Sequence, residues 1–458
     1  MDRESQLMQR VLILSPHFPP DGNAGAHRVR LLAPHLASYG WQPTIVAVDP
    51  RDYEGRLDPE LSELVPKSLR VVRCRAWSAK WTRRLGIGDL GLRSLRGLYK
   101  TCRSLLASEK FDIVFITTLP SYPAMLGPIL KKKFGARFVL DFQDPWVGAW
   151  GLTVGPSASG RPNLKSRLSR IAARALEMMT LGSADAITAV SPGTYHEIQQ
   201  RNRAVAKTPC CAIPLGGEAA DFVRLSESPR QNPYFDQADG RVHICYVGTL
   251  LPMGVGTLRA LLRAAALLRE RQPHLYDSVR LHFFGTSNQV SSAACERVAP
   301  LARELGVGEI VSECAQRISY LDALTVQTQA SAILMMGSSE RHYTASKLYP
   351  GLLAKRPVLA IYHADSSVVD VLRRAAHPPS VRLVTYDDAN PAENHVEDIY
   401  RNLVDLIQNP DYISSAVDMS VVSEYSAKAL AGQLAEVFSE LTNSSRPALV
   451  YSTDLAAT

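Results

Sequence analysis

The chain has 458 residues, enough for two domains with full cores, and its 46% hydrophobic and 21% charged residues are those of an ordinary globular protein. No apolar run reaches the ~18 residues needed to cross a bilayer, which excludes a transmembrane helix. The net charge of +7 asks for an anionic partner, and seven scattered cysteines without a C-x-x-C pair read as free thiols of a reducing compartment. No basic-then-apolar leader precedes Val11, so a cytoplasmic protein is expected.

Short apolar runs alternate with helical patterns, as in parallel sheets covered on both faces. In the first half the spacing predicts strands over 11–15, 42–48, 69–74, 113–117, 137–142, 186–190 and 210–214, and helices over 26–39, 122–133 and 164–181. Between the first strand and helix lies Gly22-Asn-Ala-Gly25-Ala-His27-Arg28, whose glycines let backbone approach a ligand closely. It does not fit G-x-G-x-x-G, which speaks against a dinucleotide oxidoreductase. His27 and Arg28 are expected to project into a cleft between domains; the alternative is a plain tight turn with Arg28 on the surface.

The stretch 77–110 interleaves Lys80, Arg83, Arg84, Arg93, Arg96, Lys100, Arg103 and Lys110 with Trp81, Leu92, Leu95, Leu98, Tyr99, Leu105 and Leu106. Helical spacing puts the cations on one side, which suits either an anionic membrane surface or an ordinary domain helix with a solvated basic face. No nucleic-acid motif accompanies it, so no nucleic-acid partner is expected. Asp144 follows the strand at 137–142, where a carboxylate can accept a hydrogen bond from a hydroxyl or cap the next segment. Asp141, inside the strand end, reads as structural, and 151–162 as a mobile Gly/Ser/Pro loop.

The pattern restarts after Gly216-Gly217, with strands expected over 243–247, 280–284, 310–312, 332–336, 358–361 and 381–385. Gly248 and Gly285 end two of them, where backbone can meet a nucleotide; Arg317 has a planar guanidinium suited to stacking, or is an ordinary surface arginine. Tyr343-Thr-Ala-Ser346-Lys347-Leu-Tyr-Pro350 is a polar loop opening a short apolar helix that Arg356-Pro357 ends. A serine and a lysine at a helix start suit a diphosphate, and ligands of parallel sheets lie beyond the carboxyl ends of strands. Glu340, His342 and Tyr343 fill the loop before Lys347. The domains expected are 1–215 and 216–426, each doubly wound, followed by an amphipathic helix at 427–442 and a frayed tail at 443–458. No D-x-D, H-x-x-x-H, cysteine cluster, P-loop or G-x-S-x-G occurs, so neither a metal nor a cofactor is expected.

The segment around Ser346-Lys347 resembles the donor-binding region of two-domain (GT-B) retaining glycosyltransferases, chiefly glycosyltransferase family four. Other landmarks agree in order from about residue 10 to 440: Leu12-Ile-Leu-Ser-Pro-His-Phe-Pro-Pro20, Asp141-Phe-Gln-Asp144-Pro-Trp146, Ala184-Asp-Ala-Ile-Thr-Ala-Val-Ser191, Ile213-Pro-Leu-Gly-Gly217 and Tyr246-Val-Gly-Thr249. The resemblance implies two facing Rossmann-like doubly wound α/β domains, with a C-terminal helix packing back on the first. It implies transfer of a sugar from a nucleoside diphosphate sugar to a glycan, a lipid-linked or a small-molecule acceptor. Lys347 and Ser346 would then hold the diphosphate, Gly248, Thr249, Gly285, Arg317, His342 and Tyr343 would line the donor side, and Glu340 would orient the sugar. Gly25, His27, Arg28 and Asp144 would form the acceptor side. The chain departs from the family at two glutamates, replaced by His342 and Pro350, and at a diphosphate-clamping arginine and lysine, where Thr249 and Met253 stand. These losses keep open a catalytically silent partner subunit, or an epimerase or hydrolase on the same fold.

Overall fold

The computed structural model describes residues 8–55, 57–147, 164–287, 295–338 and 346–443. The expected loop at 151–162 lies outside them, as does the tail beyond Asn443. Two compact units divide the chain, Met1–Leu215 with Ala427–Thr458, and Gly216–Ser426.

The first unit is built on a parallel sheet of β1 (Gln9–Leu14), β2 (Trp41–Val48), β3 (Arg70–Cys74), β4 (Ile113–Thr117), β5 (Arg137–Phe142), β6 (Ala186–Ala189) and β7 (Cys210–Ala212), in the order β3-β2-β1-β4-β5-β6-β7. Strands covered on both faces bury every side chain, so they read as unbroken apolar runs. Val11 to Leu14 are fully buried, alternating between two layers. Leu12 and Leu14 face the helices Leu90–Ser108 and Leu126–Phe134, while Val11 and Ile13 face the helices Ala24–Leu32 and Ala427–Thr442. That last helix belongs to the first unit. Its Phe438 ring meets Trp41 edge-on at 5.2 Å and Phe115 at 5.6 Å, and the Trp41 indole N–H donates to Ser439 Oγ at 3.2 Å.

The second unit repeats the plan with β8 (Val242–Val247), β9 (Val279–Phe284), β10 (Val311–Cys314), β11 (Ala332–Met336), β12 (Val358–His363) and β13 (Val381–Tyr386), in the order β10-β9-β8-β11-β12-β13. Helix Val255–Arg271 buries Leu258, Leu261, Leu262, Ala265 and Leu268 on one face of this sheet; each buried leucine contributes about 1.5–3 kcal/mol. Helices Leu348–Leu353 and Ser367–Ala375 cover the other face.

Both sheets have a point where the winding direction reverses, between β1 and β4 and between β8 and β11. Loops leaving the carboxyl ends of those strands diverge there and open a crevice for ligand. The predicted strands all form, with shifts at their ends. β7 stops at Ala212 rather than 214 because the carbonyls of Ile213 and Pro214 accept from the Arg28 guanidinium instead of a neighbouring strand. The helix expected over 26–39 becomes an α-helix to Leu32 and a 3₁₀ turn over Ala33–Tyr39, because Pro34 has no N–H to continue the α pattern.

A polar chain runs through the second unit's interior. His243 Nε2 pairs with Asp239 at 3.0 Å, His243 Nδ1 with His282 Nε2 at 2.9 Å, and His282 Nδ1 with Ser312 Oγ at 3.2 Å, under the stacked ring of Phe235. Burial, helped by the neighbouring His243, pushes His282 down from 6.5 to about 4. The unfolded chain therefore binds the extra proton first, so stability is complete above about pH 6.5 and is lost as pH falls toward 4. Acidification to pH 5 should cost roughly 2 kcal/mol at this one site. Thermal melts of wild type and His282→Gln across pH 5–7.5 check this: the variant should show the shallower dependence, and parallel profiles would refute it.

Candidate functional site

In the second unit the loops after β8, β9 and β10 descend as a staircase. Gly248 N–H donates to the Phe284 carbonyl at 2.7 Å, and Gly285 N–H to that of Cys314 at 2.8 Å. Both glycines have positive φ, +136° and +69°, which side chains resist. Lys347 folds over this staircase. Its ammonium donates to Tyr246 Oη at 2.8 Å and to the Thr249 carbonyl at 3.3 Å, and lies 4.5 Å from the centre of the Tyr246 ring. Tyr246 Oη in turn donates to the Thr249 carbonyl at 3.1 Å. A Cβ at position 248 would stand 2.0 Å from Lys347 Cε, so only glycine leaves the lysine its place.

Gly248, Thr249, Gly285 and Lys347 are thus gathered at the carboxyl end of β8, beside the reversal point. Half-buried Arg317 joins them, its Cα 3.9 Å from where a Cβ on Gly285 would sit. The helix after Lys347 spans Leu348–Leu353, only six residues, and Ser346 is exposed in the turn before it. The helix start expected at Ser346-Lys347 therefore shifts to Leu348. So short a helix develops little dipole, and the charge offered to an anion is that of the lysine itself. Glu340, His342 and Tyr343 lie outside the described residues.

In the first unit the geometry corrects one expectation outright. Arg28 is fully buried and does not project toward solvent. Its guanidinium grips Asp141 through two bonds, Nε to Oδ2 at 3.0 Å and Nη2 to Oδ1 at 2.7 Å; Nη1 caps the carbonyls of Ile213 and Pro214. Thr188 Oγ1 donates to the same Asp141 carboxylate at 2.7 Å. Arg28 therefore ties the first helix to β5, β6 and the end of β7, and cannot serve an acceptor. Gly25 is buried where a Cβ would lie 3.1 Å from the Leu119 carbonyl, so it seats the helix against the loop after β4. His27 is half-buried in the first helical turn.

Asp144 is exposed in the loop after β5. The protein around it pushes its carboxyl above the ordinary range by desolvation, but solvent reaches the group and limits that shift. Sequence reasoning passed over a second polar group on this edge. His17 Nδ1 lies 2.5 Å from Asp21 Oδ2, in the loop after β1; the carboxylate is buried, and the imidazole side chain is 16% exposed. Asp21 also accepts from Asn23 through its main-chain and side-chain nitrogens. A carboxylate partner at Nδ1 fixes the orientation of the imidazole ring. The i, i+4 spacing was the only written signal, and in a loop broken by Pro19 and Pro20 it predicts nothing.

The amphipathic face expected over 77–110 divides in two. Helix Leu90–Ser108 turns Leu90, Leu98, Cys102 and Leu105 into the core, whereas Trp77, Trp81 and Leu85 remain exposed.

Residues 23–216 match the model of a glycosyl transferase 4-like domain. No curated protein matches the chain. Solved structures similar to it include the N-terminal domain of a Candida albicans trehalose-6-phosphate phosphatase (12% identity, 96% of this chain and 98% of that one, TM-score 0.59). They also include a glycosyltransferase from Rickettsia africae ESF-5 (15% identity, 95% and 99%, TM-score 0.55). A third is an E. coli trehalose-6-phosphate structure bound with UDP-2-fluoro glucose (12% identity, 95% and 99%, TM-score 0.55). The chain has the two-domain GT-B glycosyltransferase fold, and its first half matches the glycosyl transferase 4-like domain.

Proposed function

We propose that this GT-B chain is a cytoplasmic, retaining, metal-independent glycosyltransferase that moves a hexosyl or N-acetylhexosaminyl group from a nucleoside diphosphate sugar to an acceptor hydroxyl. The observation that carries the reading is Lys347 seated on Gly248 and Tyr246 at the second unit's reversal point. A nucleoside diphosphate leaving group gathers about two to three negative charges, and fixed cations that meet it as the bond breaks do most of the catalysis. Lys347 meets that charge, with Arg317 beside Gly285, while the glycine-bearing loops let the nucleotide approach backbone. A sugar nucleotide on a similar fold supports the donor class.

The anomeric carbon–phosphate oxygen bond breaks as the acceptor oxygen bonds the same carbon on the same face. The departing phosphate takes the acceptor proton. Glu340 orients the sugar, and His342, Tyr343 and Ser346 border the donor. On the first unit Asp144 and His17 receive the acceptor.

A thermal-shift panel of UDP, GDP, ADP and dTDP sugars tests the donor assignment. One sugar nucleotide should raise the melting temperature, with about 2.7 kcal/mol of stabilisation at a hundred times its dissociation constant. Pro350, in the short helix where the resembled family has a glutamate, favours a second reading: a silent homologue serving as partner subunit. Silence across the whole panel would select it. Free sugar or an epimer from donor alone would instead mean a hydrolase or epimerase.

A further inference from the structure

Three large apolar side chains stand at four-residue intervals on one short stretch, all outward: Trp77 is 52% exposed, Trp81 68% and Leu85 80%. Single exposed apolar residues are ordinary, but three this exposed within nine residues mark a binding surface. Helix Ala79–Thr82 and the 3₁₀ turn Arg83–Leu85 carry Trp81 and Leu85, and their neighbours fix them. Thr82 is buried, and its carbonyl accepts from Ile87 N–H at 2.9 Å. Trp77 exchanges main-chain bonds with buried Arg93: its N–H donates to the Arg93 carbonyl at 2.9 Å, and Arg93 Nη1 donates to its carbonyl at 2.7 Å. The wedge is thus mounted on a rigid base, although helix Leu90–Ser108 behind it is committed to the core.

The charge around the wedge has one sign. Residues 64–88 hold seven Lys and Arg and no Asp or Glu. Of the cations nearest the tryptophans, Lys80 and Arg84 make no ion pair among the described residues, and Arg84 stacks on the Trp81 ring at 4.7 Å. Arg83 pairs with Glu54 at 2.9 Å yet stays 67% exposed. Tryptophan suits a boundary that is apolar on one side and wet on the other, and interspersed cations suit an anionic surface. No described helix is long and apolar enough to cross a membrane.

We infer that Trp77, Trp81 and Leu85, ringed by Lys80, Arg83 and Arg84, dock the first unit onto an anionic phospholipid bilayer. The segment follows β3, so it leaves the sheet from the same edge as the loops bearing His17 and Asp144. On the transferase reading, which only this consequence rests on, the acceptor is presented from the membrane. Docking itself requires neither nucleotide nor turnover.

The full chain is floated through a density gradient with phosphatidylcholine vesicles, alone or containing phosphatidylglycerol. It should float with the anionic vesicles only, and the tryptophan emission should move to shorter wavelength. Trp77→Ser, Trp81→Ser and Leu85→Ser combined should abolish flotation, and Lys80→Glu, Arg83→Glu and Arg84→Glu combined should weaken it roughly 100-fold or more. Both sets lie on the surface, and unchanged melting confirms their folding. Wild-type protein that stays at the bottom with anionic vesicles overturns the inference, as does a serine variant that floats equally well. Self-association that the serine variant loses, without vesicle binding, assigns the patch to a second copy and overturns it too. The sugar-nucleotide melting panel reads the donor site independently, so either proposal can fail alone.

Discussion

Replacing Lys347 by alanine should lower sugar transfer by roughly 10²–10³-fold, the loss seen when one preorganised donor to a developing charge is removed. Folding should hardly change. The Tyr246 hydroxyl keeps its bond to the Thr249 carbonyl, so the variant leaves no buried donor stranded, and the cost should stay within about 1 kcal/mol. Gly248→Ala is the companion. It leaves the ammonium in the protein but forces it off the loop, since the new methyl would occupy the space of Lys347 Cε. Both variants should lose turnover, and both should release the ring contact with Tyr246. Single-turnover rates together with melting curves decide the matter. Normal melting with an undiminished rate in Lys347→Ala would end its assigned role, whatever the donor proves to be.

Arg28→Ala should destabilise the first unit by about 3–5 kcal/mol, because it strands the fully buried Asp141 carboxylate among groups that cannot replace two charged bonds. It also uncaps the carbonyls of Ile213 and Pro214. Asp141→Ala should be comparably severe. Arg28→Met with Asp141→Leu removes both charges together and should cost clearly less than the sum of the single changes. All five tryptophans lie between residues 41 and 150, so urea unfolding followed by tryptophan emission reports this unit alone. Additive losses, or a single variant as stable as wild type, would show that the pair is not the clasp described.

These two sites show how differently a sequence displays its contents. The strands were legible because burial on both faces leaves little but Val, Ile, Leu and Phe to place there. Gly248 and Lys347 could be assigned to one side because each sits beside a strand end and within a stretch resembling a known donor site. Their mutual contact could not be read, since it joins loops 99 residues apart and depends on a positive φ. Arg28 is illegible for the opposite reason. An arginine after a glycine loop looks the same whether it meets solvent or a carboxylate 113 residues away. Only the fold reveals which. The same holds for His17 and Asp21, and for 77–110, where periodicity marked an apolar face but could not say that the long helix would spend it on the core while the short one kept it outward.

The order of synthesis follows from the return of helix Ala427–Thr442. The pocket between Trp41 and Phe115 stays open until Phe438 has left the ribosome, after all of Gly216–Ser426 has been made. The earlier part therefore waits with an uncovered apolar groove while the whole of the second part is translated. A chain truncated before residue 427 should give a sound second half and a first half that chaperones retain.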